Sequence, residues 1–140
     1  MKKIVRYLFL ALCVTMVFDN AFARSAEEDL IIGSNYFFGR GVTQDYNKAA
    51  YHIQEAAKKG NADALAQLGS MYQSGVGVAV NYRKAMECYQ LAAAKGNIIA
   101  VYNIGVMYNT GLGVQRNTPK AAEYCSRFIY WVENSASINA

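Results

Sequence analysis

Histidine occurs once in this 140-residue chain and tryptophan once. Proline occurs once, as Pro119, and cysteine three times. A metal centre needs several ligands at suitable spacing, and His52 with scattered cysteines does not supply one. Neither a metal nor a cofactor is expected. One proline, no low-complexity tract and 13% aromatic residues argue against a disordered or polyproline chain. Charge of either sign is modest. The 14 basic and 10 acidic residues give +4, which carries no reason to invoke nucleic acid or a membrane surface. Long apolar runs are also lacking. The longest, Tyr7 to Phe18, has 12 residues and is broken by Thr15, short of the roughly 20 a spanning helix needs.

That short run is nonetheless informative. Lys2, Lys3 and Arg6 precede it, and Ala21-Phe22-Ala23 follows as a small-x-small cleavage site. This is the three-part pattern of a secretory signal peptide. Residues 1–23 are therefore expected to be removed, leaving residues 24–140 as one domain that starts at Arg24 and has no membrane span. The location expected is periplasmic or secreted. Removing three bases and one acid lowers the charge to +2.

What the remainder has is a period. Gly33, Gly69 and Gly105 are 36 residues apart, as are Tyr36, Tyr72 and Tyr108. Gly39, Gly75 and Gly111 keep the same spacing, and so do Gly41, Gly77 and Gly113. Lys48-Ala49, Lys84-Ala85 and Lys120-Ala121 complete the pattern. Each unit reads as two helices. In the middle unit, Leu65, Leu68 and Tyr72 place helix A over about Ala62 to Gln73. Gly75 and Gly77 stop it. Asn81, like Asp45 and Asn117, can cap helix B, which runs from about Tyr82 to Lys95. Gly69 sits inside helix A at a cost of about 1 kcal/mol against alanine. Close approach by small residues of helix B (Ala85, Ala92 and Ala93) is the expected compensation. The fold expected is all-α: a right-handed solenoid of about three antiparallel helix–turn–helix repeats, near residues 28–63, 64–99 and 100–135.

These residues resemble the Sel-1-like repeat, a relative of the tetratricopeptide repeat. The middle unit gives Ala64, Leu68, Gly69, Tyr72, Gly75, Gly77, Val78, Asn81, Lys84 and Ala85, ending on Ala92, Ala93 and Gly96. The resemblance implies a non-enzymatic interaction scaffold with a protein or peptide partner, in envelope signalling or host interaction. Two ends depart from the pattern. Glu28 and Asp29 replace Ala64 and Leu65, which suits a solvated N-terminal face. The third unit replaces the Ala-Ala-x-x-Gly ending by Phe128, Ile129 and Val132, with a helix expected to about Asn134. Phe128, Tyr130 and Trp131 read as a cap over the last repeat or as a patch for self-association.

In tetratricopeptide-like arrays helix A lines the concave face. By position this nominates Ser34, Phe37 and Phe38, then Ala66, Ser70, Gln73 and Ser74, then Tyr102, Val106, Asn109 and Thr110. Phe38 and Tyr102 are the ones expected to serve the core. Some relatives have been described as binding or hydrolysing penicillin, so a cell-wall or β-lactam ligand is the alternative reading. No serine here has lysine three residues later, which that chemistry ordinarily uses. The Gly-x-Gly-Val segments join helix to helix, without the strand that a dinucleotide loop requires. His52 matches Cys88 and Tyr124 in register and is read as structural. After Cys13 leaves with the signal, Cys88 and Cys125 remain. An oxidising compartment allows a bridge between them only where the helices' facing sides come close.

Overall fold

The computed structural model describes residues 24–138. Six helices follow one another: α1 (Ala26–Phe38), α2 (Tyr46–Lys58), α3 (Ala62–Ser74), α4 (Tyr82–Ala94), α5 (Ile98–Thr110) and α6 (Thr118–Ile138). No strand occurs among the described residues. Each helix packs against the one before and the one after it, so the architecture is a helical solenoid of three hairpins. The expected signal peptide lies outside the described residues.

Local chemistry sets the ends. Asp45 accepts from the backbone N–H of Asn47 and Lys48 at 3.0 Å. Asn81 and Asn117 accept in the same way from Lys84 and Lys120, both at 3.0 Å. Asn61 and Asn97 cap α3 and α5 through Ala64 and Ala100. Ser25 and Glu28 form a reciprocal capping box at α1. Each A helix stops on a left-handed glycine, such as Gly75 at φ 74°. The returning chain is then tied back. The N–H of Asp45, Asn81 and Asn117 donates to the carbonyl of Tyr36, Tyr72 and Tyr108, at 2.8–3.0 Å.

The repeated residues meet one another in space. Lys48, Lys84 and Lys120 lie 5.2–5.3 Å from the ring centres of Tyr36, Tyr72 and Tyr108. That is a cation–π contact in every hairpin. Gly33, Gly69 and Gly105 face helix B of their own hairpin, as expected, but the neighbour is not a run of alanines. A Cβ on Gly69 would lie 2.7 Å from the ring of Tyr89. The side chain at that helix B position is large, and the missing Cβ makes room for it. Between hairpins, a Cβ on Gly77 would strike the carbonyl of Tyr46, and one on Gly113 would lie 2.7 Å from the backbone of Tyr82. Those loops therefore stack directly on the preceding hairpin. A second tie crosses the same seam. Asn61 donates to Glu27 at 3.2 Å and Asn97 to Asp63 at 2.7 Å.

Both ends differ from the sequence reading. Asp29 is not solvated; it is 3% exposed. Lys59 donates to its carboxylate at 2.5 Å, and His52 Nδ1 lies 3.3 Å away. Burial without partners would be costly, and these side chains replace the missing water. The Lys59 hydrogen bond holds the Asp29 carboxyl below the usual carboxylate range, against the opposing effect of burial. At the other end α6 runs on to Ile138, past the expected Asn134, because Val132 stands where Gly60 and Gly96 end the earlier B helices. The aromatic residues there cover the last repeat only in part. Phe128 packs inward, 5.2 Å from the ring of Tyr102, while Tyr130 and Trp131, largely exposed, edge a shallow pocket beside Ile98 and Val101 of α5.

Candidate functional site

The A helices α1, α3 and α5 share one face of the solenoid and shape an open groove of about 610 Å³. Its walls are a helical stripe repeated in register. Glu27, Asp63 and Ile99 form one row, and Ile31, Gln67 and Asn103 form the next. Ser34 and Ser70 follow, with Asn35 beside them and Leu30 and Ala66 behind. The spacing of i, i+4 and i+7 brings these onto one helix face. Amides and hydroxyls alternate with aliphatic carbon. The carboxamides of Asn35, Gln67 and Asn103 each offer both a donor and an acceptor, which is what a polypeptide backbone presents in return; that of Asn97 is already engaged by Asp63 and the Ala100 N–H.

A smaller pocket of about 230 Å³ opens beside the groove and shares Gln67 and Ser70 with it. Phe37, Phe38 and Met71 give it apolar walls, and Ser74 closes it. Phe37 and Phe38 meet edge to face at 5.0 Å. Arg40 covers Phe38 at 4.6 Å from the ring centre.

The nominated residues divide accordingly. Ser34 and Ser70 lie in the groove; Phe37, Ser70 and Ser74 lie in the apolar pocket. Val106 and Asn109 sit elsewhere, in a shallow pocket between α5 and α6. Gln73 is engaged in packing, since it accepts from the Tyr89 hydroxyl at 2.9 Å. Thr110 turns its hydroxyl back to the carbonyls of Val106 and Met107. Phe38 and Tyr102 are not core residues. Phe38 is 58% exposed and Tyr102 44%, Phe38 because it walls an open pocket and Tyr102 because no hairpin packs over it among the described residues. The groove positions missed include Ile31, Asn35, Gln67, Asn97, Ile99 and Asn103, with the charged Glu27, Arg40 and Asp63. Their signal was present: extending the stripe one turn toward the helix start from Ser34 and Ser70 reaches Ile31 and Gln67.

No group of three or more histidine, cysteine, aspartate or glutamate side chains that could hold a metal occurs among the described residues. His52 stacks on Tyr36 at 6.0 Å, in the part-buried contact to Asp29. Cys88 and Cys125 are free cysteines in this structure. Burial raises the Cys88 thiol above its ordinary range. Cys125 turns toward its own hairpin, where its Sγ would lie 3.3 Å from a Cβ on Gly105.

The family model for the Sel1 repeat matches three successive segments, residues 32–61, 62–97 and 98–129. The chain belongs to the Sel1 repeat family. Solved structures agree. The protective antigen c5321 of uropathogenic Escherichia coli, which displays an SLR fold, is 33% identical with a TM-score of 0.74. The match covers 76% of this chain and 23% of that protein. A Sel1 repeat protein of Oxalobacter formigenes is 28% identical, TM-score 0.70, over 74% of this chain and 42% of its own. Cysteine rich protein B of Helicobacter pylori, 20% identical with a TM-score of 0.60 over 74% of this chain and 83% of that one, shares the fold. This chain thus spans under half the length of the first two. No curated protein matches it. Sel1 repeats generally mediate protein–protein interaction, and the family is typically non-catalytic. No helix among the described residues is long and apolar enough to cross a membrane.

Proposed function

We propose that this Sel1 repeat protein is an exported scaffold that binds an extended segment of a partner protein in the groove of its A helices. The observation that carries the reading is the set of carboxamides and hydroxyls along the groove (Ser34, Asn35, Gln67, Ser70 and Asn103) beside an apolar pocket. A bound strand sets its backbone against Asn35, Gln67 and Asn103. One apolar side chain enters the pocket of Phe37, Phe38 and Met71. Main-chain hydrogen bonds then give affinity and the pocket gives selectivity. Export is supported by the tripartite pattern of residues 1–23, and the site of action is the bacterial periplasm or beyond. The role of the E. coli relative as a protective antigen fits a protein that reaches the outside of the cell.

The test pairs Gln67→Ala with Asn103→Ala. Both side chains are partly exposed, so helicity stays unchanged. Partner retention on the immobilised protein falls at least tenfold in the double variant. Full retention would remove the groove from the account. N-terminal sequencing of the exported protein should begin at Arg24; a start at Met1 would refute the export reading.

A further inference from the structure

The first hairpin departs from the other two where α1 ends beside the groove. In the repeat register Phe38 stands where the others have Ser74 and Thr110, and Arg40 where they have Val76 and Leu112. Ser74 and Thr110 each return their hydroxyl to a carbonyl of their own helix, at 2.8 and 2.9 Å. The fold therefore requires neither a ring nor a charge at these places. Phe38 is instead an exposed wall of the apolar pocket. Arg40 lies over that ring and also lines the groove.

Arg40 is held in place without being neutralised. Gly39 and Gly41 on either side are left-handed, at φ 67° and 71°. Its backbone N–H donates to the Asn35 carbonyl at 2.9 Å, and the Phe38 ring steadies the guanidinium by a cation–π contact. Among the described residues no carboxylate pairs with it. Asp45, the nearest acid in the chain, caps α2 and pairs with Lys48. A guanidinium presents its N–H donors in a rigid fork that matches a carboxylate. The other charges of the groove are negative and lie at its far end. Glu27 and Asp63 line it from the first turns of α1 and α3. Glu27 and Phe38 are about 16 Å apart along α1 at the helical rise, the reach of about five residues of extended chain. An acidic side chain is thus repelled at one end of the groove and paired at the other, which fixes the register of a bound segment.

We propose that the partner segment carries an aspartate or glutamate two residues from its apolar anchor, and that Arg40 binds this carboxylate while the anchor fills the pocket of Phe37, Phe38 and Met71. The proposal rests on the groove reading above. Same-face side chains of an extended strand lie about 7 Å apart, so a carboxylate two residues from an anchor against Phe38 reaches a guanidinium stacked on that ring.

Blocked peptides test it. A random eight-residue library, acetylated and amidated so that neither terminus is charged, is selected on the immobilised exported protein. The sequences expected hold an apolar residue with an acid two positions away. One of them is then titrated by fluorescence anisotropy. Changing its acid to the amide should weaken binding about fivefold, as should Arg40→Glu at unchanged helicity. A lysine in place of the acid should restore binding to Arg40→Glu and to no other variant. Peptides that lose binding to the Gln67→Ala, Asn103→Ala protein but show no preference for an acid, or bind Arg40→Glu as well as the parent, would overturn this proposal and leave the groove reading standing. Binders obtained only from a library with free C-termini would assign Arg40 to a chain end and overturn it too. No enrichment from either library would overturn both readings.

Discussion

Three glycines occupy one position of the repeat, and the structure assigns them three different costs. Consider alanine at each. Each substitution gains about 1 kcal/mol of helix propensity. Against this stands overpacking, about 1–3 kcal/mol in a filled core. On Gly33 the new Cβ would lie 2.7 Å from Ile53 Cγ1, 3.1 Å from the Ile53 backbone nitrogen and 3.2 Å from the Ala49 carbonyl. Ile53 is fully buried and backbone cannot step aside, so the net loss should be about 2 kcal/mol. On Gly69 the contacts are ring atoms of Tyr89 at 2.7 Å. The ring can tilt at the expense of its hydroxyl bond to Gln73, for a net loss of about 1 kcal/mol. On Gly105 the nearest atoms are Tyr124 Cβ at 3.2 Å and Cys125 Sγ at 3.3 Å, beside the open end. There the propensity gain should cancel the crowding to within about 0.5 kcal/mol. Urea melts followed by circular dichroism measure all three, at roughly 4 °C of midpoint per kcal/mol in the matching thermal scans. Equal losses at the three positions, or the largest loss at Gly105, would refute close helix approach as the reason for glycine.

Other perturbations follow from single contacts. The Asp29 carboxyl titrates below its ordinary 3.8 because Lys59 donates to it. Its stabilisation is therefore present above about pH 4 and lost as pH falls through the lowered folded value. Asp29→Asn should be less stable at neutral pH and converge with the parent in acid; parallel curves at every pH would contradict the ion pair. Tyr89 is pushed up to about 12 by burial. Its neutral form favours the folded state up to the ordinary value near 10, and that advantage is lost as pH rises through 12. Alkaline spectrophotometric titration should show one late tyrosine that is missing in Tyr89→Phe. Lys84→Met removes the cation over Tyr72 and should cost about 0.5–1 kcal/mol in denaturant melts; no change would demote that contact to coincidence.

The sequence displayed the fold through residues whose role is local. Asp45, Asn81 and Asn117 cap helices wherever they stand before an apolar stripe, and the glycines after helix A end it by their own backbone freedom. The period then multiplies one hairpin into three. The ends were harder to read because nothing local decides them. Asp29 in an apolar register looks like a surface group until Lys59, 30 residues later, is seen to reach it. Trp131 and Tyr130 look like a lid, yet on a helix with no glycine to stop it they only edge a shallow pocket beside Ile98 and Val101 and stay half or more exposed. The groove was half legible. Ser34, Phe37, Ser70 and Ser74 were reached by analogy of position. Gln67 and Asn103 were passed over because the wall they belong to spans three helices. Gln73 could be recognised as engaged only from the Tyr89 hydroxyl bond.

The central claim is that this Sel1 repeat array uses its A-helix groove to hold a partner protein. The most direct measurement places a photoreactive side chain at Gln67 inside the groove, and in a second variant at Gln90, exposed on α4. Both are irradiated in the producing cell, and crosslinked species are identified by mass spectrometry. The account predicts one dominant protein adduct from Gln67 and none from Gln90. Adducts of the same protein from Gln90 alone, or from neither position, would contradict it.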